Sequence, residues 1–229
     1  MPRRARVAVA GIRWHIIQRG NNRSACFYTE DDYHYYLDQL KLQSAEHGCA
    51  IHTYCLMTNH VHLLLTPERL DSASLMMKNL GQRYVQYINR TYRRSGTLWE
   101  GRFKSCLAQH EHYVLTCYRY IELNPVRAMM VSHSAEYRWS GYHHNAEGSP
   151  SKFIKPHEDY VRLGLTDEER RSAYKYLLAE ALDRQHIDQV RAATNGNYVL
   201  GNERFKKEIE LALGRRVTPG KGGRPRKVD

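Results

Sequence analysis

The sequence predicts an α+β fold, and three observations carry the prediction. Short stretches of alternating apolar and polar residues are interleaved with longer stretches of near-helical spacing. Two of the strands are joined by a tight polar turn, Thr58-Asn59. The elements run strand, helix, strand, strand, helix, strand, helix through the first 131 residues. That order fits a ferredoxin-like or RRM-like antiparallel sheet with helices on one face, here followed by a C-terminal helical extension and a basic tail.

The first strand is expected over residues 12–19, ended by the turn Gly20-Asn21-Asn22. A helix over 30–47 follows from the spacing of Tyr33, Tyr36, Leu37, Leu40 and Ala45, with acids at its start and Gly48 as its stop. Residues 50–57 and 60–66 form a hairpin, closed by Pro67. The helix over 71–94 places Leu75, Met76, Leu80, Tyr84, Tyr87, Ile88 and Tyr92 along one side and breaks at Ser95-Gly96. A strand over 98–109 and a helix over 110–123 complete the unit, with Tyr113, Cys117, Tyr120 and Asn124 on one helical face. Pro125 is expected to end that helix near Asn124. The chain then divides into a catalytic domain over 1–131, a linker over 132–156, a helical extension over 157–213 and a mobile basic tail over 214–229.

Lys and Arg outnumber Asp and Glu 35 to 24, a net charge of +11, which makes a polyanion the first partner to consider. Arginines interleave with tyrosines from Tyr84 to Arg94, a mixture that neutralises phosphates and stacks bases, so single-stranded nucleic acid fits better than a membrane surface. No apolar stretch has the length of a membrane span, and Met1-Pro2-Arg3-Arg4 lacks the apolar core of a secretion signal, so an intracellular, cytoplasmic protein is expected. The five cysteines are odd in number and form no Cys-x-x-Cys pair, which argues against a disulfide framework or a thiolate zinc site.

His60-Val61-His62 is the centre of the chemical reading. Alternate residues of a strand share a face, so the two imidazoles can share one metal ion. A His-x-His pair arises easily among thirteen histidines, and His110-Glu111-His112 is a second one, but the run Leu63-Leu64-Leu65 marks the first as part of a rigid central strand. The helix after it offers three phenols, Tyr113, Tyr118 and Tyr120. Tyrosine is a poor nucleophile at its free pKa of about 10 unless a cation or base favours the phenolate. Asn124 lies one turn after Tyr120, so the register favours that phenol while leaving Tyr118 and Tyr113 as alternatives. His60, His62 and the Asn124 oxygen make a nitrogen and oxygen set that suits Mg2+ or Mn2+. Arg19, Asn22 and Arg23 at the end of the first strand, Arg102 and Lys104 before the tyrosine helix, and Arg224, Arg226 and Lys227 in the tail are the candidate DNA contacts. Trp99 is expected in the core.

Three segments, Thr58 to His62, Trp99 to Ser105 and Tyr120 to Ala128, together resemble the one-tyrosine HUH transposases, and most closely the REP-associated tyrosine transposases. His15 to Arg23, Leu200 to Phe205 and Gly223 to Lys227 are similar to that branch as well. The resemblance implies that His60 and His62 are metal ligands, Tyr120 the nucleophile and Asn124 the third ligand, where related transposases usually carry glutamine. It further implies cleavage of single-stranded DNA beside hairpin-forming repetitive palindromes through a 5′-phosphotyrosine, by a monomer or homodimer at the nucleoid. The competing readings are a non-catalytic RRM-like binder of single strands and a hydrolase whose metal activates water.

Overall fold

The computed structural model describes residues 6–110 and 112–220. In chain order the elements are β1 (Arg13–Arg19), α1 (Glu30–Glu46), β2 (Cys49–Met57), β3 (His60–Pro67), α2 (Ser72–Thr91), β4 (Lys104–Ala108), α3 (His112–Glu122), α4 (Asn124–Arg127), α5 (Tyr142–Asn145), α6 (Glu158–Val161), α7 (Asp167–Ala179), α8 (Arg184–Gly196), β5 (Val199–Leu200) and α9 (Glu203–Leu213). The strands form one sheet in the order β2-β3-β1-β4-β5. Its first four strands are antiparallel and ordered as in the ferredoxin-like arrangement, while β5 lies parallel to β4.

The two faces of the sheet are covered differently. On β1, Trp14, Ile16 and Gln18 point one way, where Gly81 of α2 approaches Gln18 and Trp99, and α1 and α2 cover this face as expected. His15 and Ile17 point the other way, beside His62 of the neighbouring β3. The single helical layer expected is therefore joined by a second, because α3 and α8 cover this opposite face. Cover on both sides explains the unbroken run Leu63-Leu64-Leu65, whose members are all fully buried, each contributing about 1.5–3 kcal/mol.

The fourth strand is shorter than the sequence suggests. Residues 98–103 run as a loop pinned to the end of β1, where Asn21 N donates to Leu98 O at 2.8 Å and Glu100 N to Arg19 O at 2.9 Å. Gly101, at φ 152°, turns the chain into β4. Trp99 is buried against Tyr84, as expected, and all five cysteines are free and buried.

The segment over 132–156, expected as a linker, packs as part of the sheet's edge. Leu56 N donates to Trp139 O at 2.9 Å, Gly141 N to Tyr54 O at 2.9 Å and Lys155 N to Ile51 O at 2.7 Å, so the segment covers the open side of β2. The helical extension is likewise docked: α8 lies on β1 and β4, and β5 joins the sheet. Asn197 ends α8 in the left-handed region, at φ 53°, and its Oδ1 accepts from Ser105 N of β4 at 3.1 Å. The first residues of the basic tail are described to residue 220, and Val217 is fully buried. Arg224, Arg226 and Lys227 lie outside the described residues. No helix among the described residues is long and apolar enough to cross a membrane.

Candidate active site

β3 carries His60 and His62 on the face turned toward α3, and Tyr120 sits near the C-terminal end of α3. Asn124 opens the next short helix, with Pro125 tolerated in its first turn because a helix start has no use for that N–H. The four residues line one cavity of about 220 Å3, completed by His15, Ile17, Arg19, Arg191, Thr194 and Asn195. The Tyr120 ring stands edge-on to His15 and His62, with centroid separations of 5.6 Å and 5.7 Å. His60 and His62 are themselves edge to face at 4.9 Å.

Each imidazole is held through one nitrogen. His60 Nδ1 lies 2.6 Å from Asn59 Oδ1, so Nδ1 carries the proton and donates it. His62 Nδ1 lies 2.9 Å from His15 Nε2. In both rings Nε2 has no hydrogen-bond partner among the described residues. Burial, followed by the charges of Arg19 and Arg127, pushes the His60 imidazolium down to about 4, and burial holds His62 well below the usual histidine range. Both rings are thus neutral at pH 7, the form that binds metal. The Asn124 Nδ2 is buried without a partner. Two oriented neutral imidazoles with open Nε2 lone pairs fit a divalent cation, and the Asn124 carboxamide lines the same cavity, where turning the amide exchanges its partnerless NH2 for the ligating oxygen.

The other phenols on α3 are elsewhere. Tyr118 is fully buried between Tyr160 and Tyr174, and its hydroxyl accepts from His157 N at 3.2 Å. Tyr113 lines a different cavity, with Tyr198 and Leu200. His110 of the second histidine pair is set apart from the first as well. His110 belongs to a cluster with His157 and Glu158, whose ligand atoms lie within 4.8 Å of one another. His110 Nε2 is 2.8 Å from the Arg13 guanidinium, a positive charge that opposes a cation there.

Of the candidate DNA contacts, Arg19 lines both the histidine cavity and a neighbouring one of about 390 Å3. Arg102 and Lys104 line that second cavity with Arg6, Glu100 and Phe103. Arg102 reaches it from the loop before β4 and not from the strand on which it was expected. Lys104 Nζ donates to Asn195 Oδ1 at 3.2 Å. Asn22 and Arg23 are exposed in a 3-10 turn with φ of 51° and 58°, and Arg23 O accepts from Asn59 Nδ2 at 3.1 Å, beside the hairpin turn that leads into His60.

Several residues at the site were not anticipated. Arg127 lies over the Tyr120 ring, and His15, Asn59, Arg191, Thr194 and Asn195 surround the histidines. His15 shares the alternation of Arg19 on β1, a signal that becomes readable once β1 is paired with β3. Nothing in the sequence marks Thr194 or Asn195, which arrive on a helix distant along the chain.

Residues 8–124, slightly more than half of the chain, match the family model described as "Transposase IS200 like". Among solved structures, a REP-associated tyrosine transposase bound to a REP hairpin is similar over 69% of this chain and 93% of its own, with a TM-score of 0.57 and 17% identity, a likeness of fold. A chain from Deinococcus radiodurans, assigned provisionally as a transposase, matches 48% of this chain and 88% of its own, with a TM-score of 0.37 and 19% identity. No curated protein matches the sequence.

Proposed function

The chain belongs to the IS200-like transposase family, and on that premise we propose that it cleaves and rejoins single-stranded DNA beside hairpin-forming repetitive palindromes, with Tyr120 as nucleophile and His60, His62 and Asn124 as ligands of Mg2+ or Mn2+. The observation that carries this reading is the convergence of those four side chains on one cavity. A hairpin is proposed as partner because the structurally similar REP-associated transposase is bound to one.

The residues present divide the work. His60 Nε2 and His62 Nε2 supply two fixed ligand positions, and the Asn124 carboxamide supplies a third from the helix that follows Tyr120. When bound by these residues, a divalent cation would supply Lewis-acid polarisation of a nonbridging phosphate oxygen. Tyr120 Oη attacks the phosphorus in line; a new O–P bond forms, the bond to the 3′-oxygen breaks, and the 3′-oxygen takes up a proton as the phenol loses one. One phosphodiester replaces another, so a second 3′-hydroxyl can reverse the step and join strands without ATP. Arg19, Arg102 and Lys104 hold the strand leading to the cavity. With one such tyrosine per chain, two cleavages need a second subunit or successive turns of one monomer.

The test is incubation of a hairpin-bearing single strand with the protein and Mn2+, followed by denaturing electrophoresis. A protein band slowed by attached DNA, and lost in Tyr120→Phe, is the expected result. Binding with no adduct under Mg2+ or Mn2+ overturns the enzyme in favour of a single-strand binder. Cleavage that survives Tyr120→Phe assigns the attack to water.

A further inference from the structure

His62 is connected through His15 to Thr194, a residue of α8 that lies well beyond the segment matching the family model. Thr194 Oγ1 donates its only proton to Val190 O at 2.7 Å, one turn earlier in α8. That oxygen is then an acceptor toward His15 Nδ1, 2.9 Å away. His15 Nδ1 therefore carries the proton, and His15 Nε2 is a bare lone pair. His15 Nε2 lies 2.9 Å from His62 Nδ1, so His62 Nδ1 must donate. The proton count leaves the lone pair of His62 on Nε2. All three residues are buried, His15 and His62 at 1% exposure and Thr194 at 3%.

We propose that His15 and Thr194 are positioning residues that fix the Nδ1–H tautomer of His62, so that α8 governs whether this histidine can act as a metal ligand. The inference rests on the assignment of His62 as a ligand made above. Without the Thr194 acceptor, His15 is released to carry its proton on Nε2. Two N–H groups would then face each other across 2.9 Å unless His62 moved its own proton to Nε2, the position needed for metal. No proton is gained or lost; the single proton of each neutral ring changes nitrogen.

Thr194→Val keeps the shape of the side chain and removes the acceptor, and Thr194→Ser restores it. Long-range nitrogen NMR on the metal-free protein, with histidines labelled and assigned through His15→Gln and His62→Ala, reads each tautomer directly. His62 is expected as Nδ1–H in the original chain, shifted toward Nε2–H in Thr194→Val and returned by Thr194→Ser. Mn2+ affinity, measured by the loss of the free-ion EPR signal with a hairpin strand bound to Tyr120→Phe protein, should fall about 10–100-fold on adding Thr194→Val and recover with Thr194→Ser. An unchanged His62 tautomer in Thr194→Val overturns the inference, as does unchanged Mn2+ affinity. If His62→Ala binds Mn2+ as tightly as the original chain, the ligand assignment itself fails, whatever the tautomers show.

Discussion

The Arg127 guanidinium carbon lies 4.3 Å from the centroid of the Tyr120 ring, and its NH2 group donates to the Tyr120 carbonyl at 2.6 Å. The two residues are seven apart, two helical turns, and the break between α3 and α4 turns the arginine back over the phenol. A positive charge is thus fixed against the proposed nucleophile, with Arg127 Nε and NH1 lacking partners among the described residues. Arg127→Ala should slow single-turnover adduct formation by about 10²-fold, the scale of losing one oriented charge stabiliser, and Arg127→Lys should recover only part because it lacks the planar fork. An unchanged rate would reduce Arg127 to a packing role.

No carboxylate is among the described residues lining the histidine cavity, whereas Arg19 and Arg191 are. A divalent cation there meets net positive surroundings until a DNA phosphate brings negative charge. Mn2+ should therefore bind at least about tenfold more tightly to the strand-bound protein than to the free one, and the strand should gain the same factor from Mn2+. Calorimetric titrations in both orders of addition, using Tyr120→Phe to prevent cleavage, check this. Equal affinities would show that the site is complete without DNA.

Arg19, Arg102 and Lys104 line one cavity beside the site. Replacing each by Ala should weaken single-strand binding and reduce the slope of log affinity against log salt by about 0.7 for every phosphate left without its cation. A variant with weaker binding and an unaltered slope would assign that side chain a role other than neutralising phosphate.

Glu122, the residue after Ile121 on the tyrosine helix, is fully buried and accepts from Thr53, Asn145 and Tyr174 at 2.5, 2.6 and 2.8 Å. Burial pushes its carboxyl up to about 7 despite those donors. A raised acid stabilises the fold most below its unfolded pKa, and that contribution is lost as pH climbs from there through about 7. Glu122→Gln lacks this loss, so its stability relative to the original chain should improve between pH 5 and pH 8 by up to about 3 kcal/mol. Denaturant titrations at the two pH values measure it, and a pH-independent difference would contradict the raised value.

His52 titrates with the opposite sign. It occupies the irregularity where β2 shifts register between Ile51 and Thr53, with Nδ1 donating to Lys155 O and Nε2 accepting from Thr66, both at 2.7 Å. Burial first, then His157 and Arg13, pushes it down to about 4. A depressed histidine stabilises the fold above its unfolded pKa near 6.5, and that contribution is lost as pH falls through about 4. The melting temperature should drop across that window, and less steeply in His52→Gln.

Much of the sheet was legible because its strands alternate or, in β3, run continuously apolar, while α2 carries a strong apolar stripe and α1 is marked by its acidic start and the stop at Gly48. That the four candidate side chains would share one cavity was legible for the same reason, since strand periodicity puts His60 with His62 and helical spacing puts Asn124 near Tyr120, although Asn124 opens a separate short helix. The second helical layer was not. The helix α8 has only Ile187, Val190 and Ala193 as apolar contacts, aligned on one side among polar neighbours, a pattern that serves a surface helix equally well and does not say which face of the sheet it covers. The stretch from 132 to 156 looked like a linker because Asn145, Gly148, Ser149 and Pro150 dominate it. Its buried apolar residues, Tyr137, Trp139, Tyr142, Ala146 and Ile154, are unevenly spaced, so no single strand or helix period runs through the segment. His15 was hidden because a buried strand histidine looks alike whether it holds a neighbour's proton or fills space.

The connection from His62 to Thr194 spans most of the polypeptide, and it sets an order on biosynthesis. A chain leaving the ribosome exposes His60, His62 and Tyr120 long before Thr194 has been translated. If the tautomer depends on α8, the emerging polypeptide should hold the cation more weakly than the finished chain, and termination between Tyr120 and α8 should yield a product that carries the proposed nucleophile beside a weakened metal site.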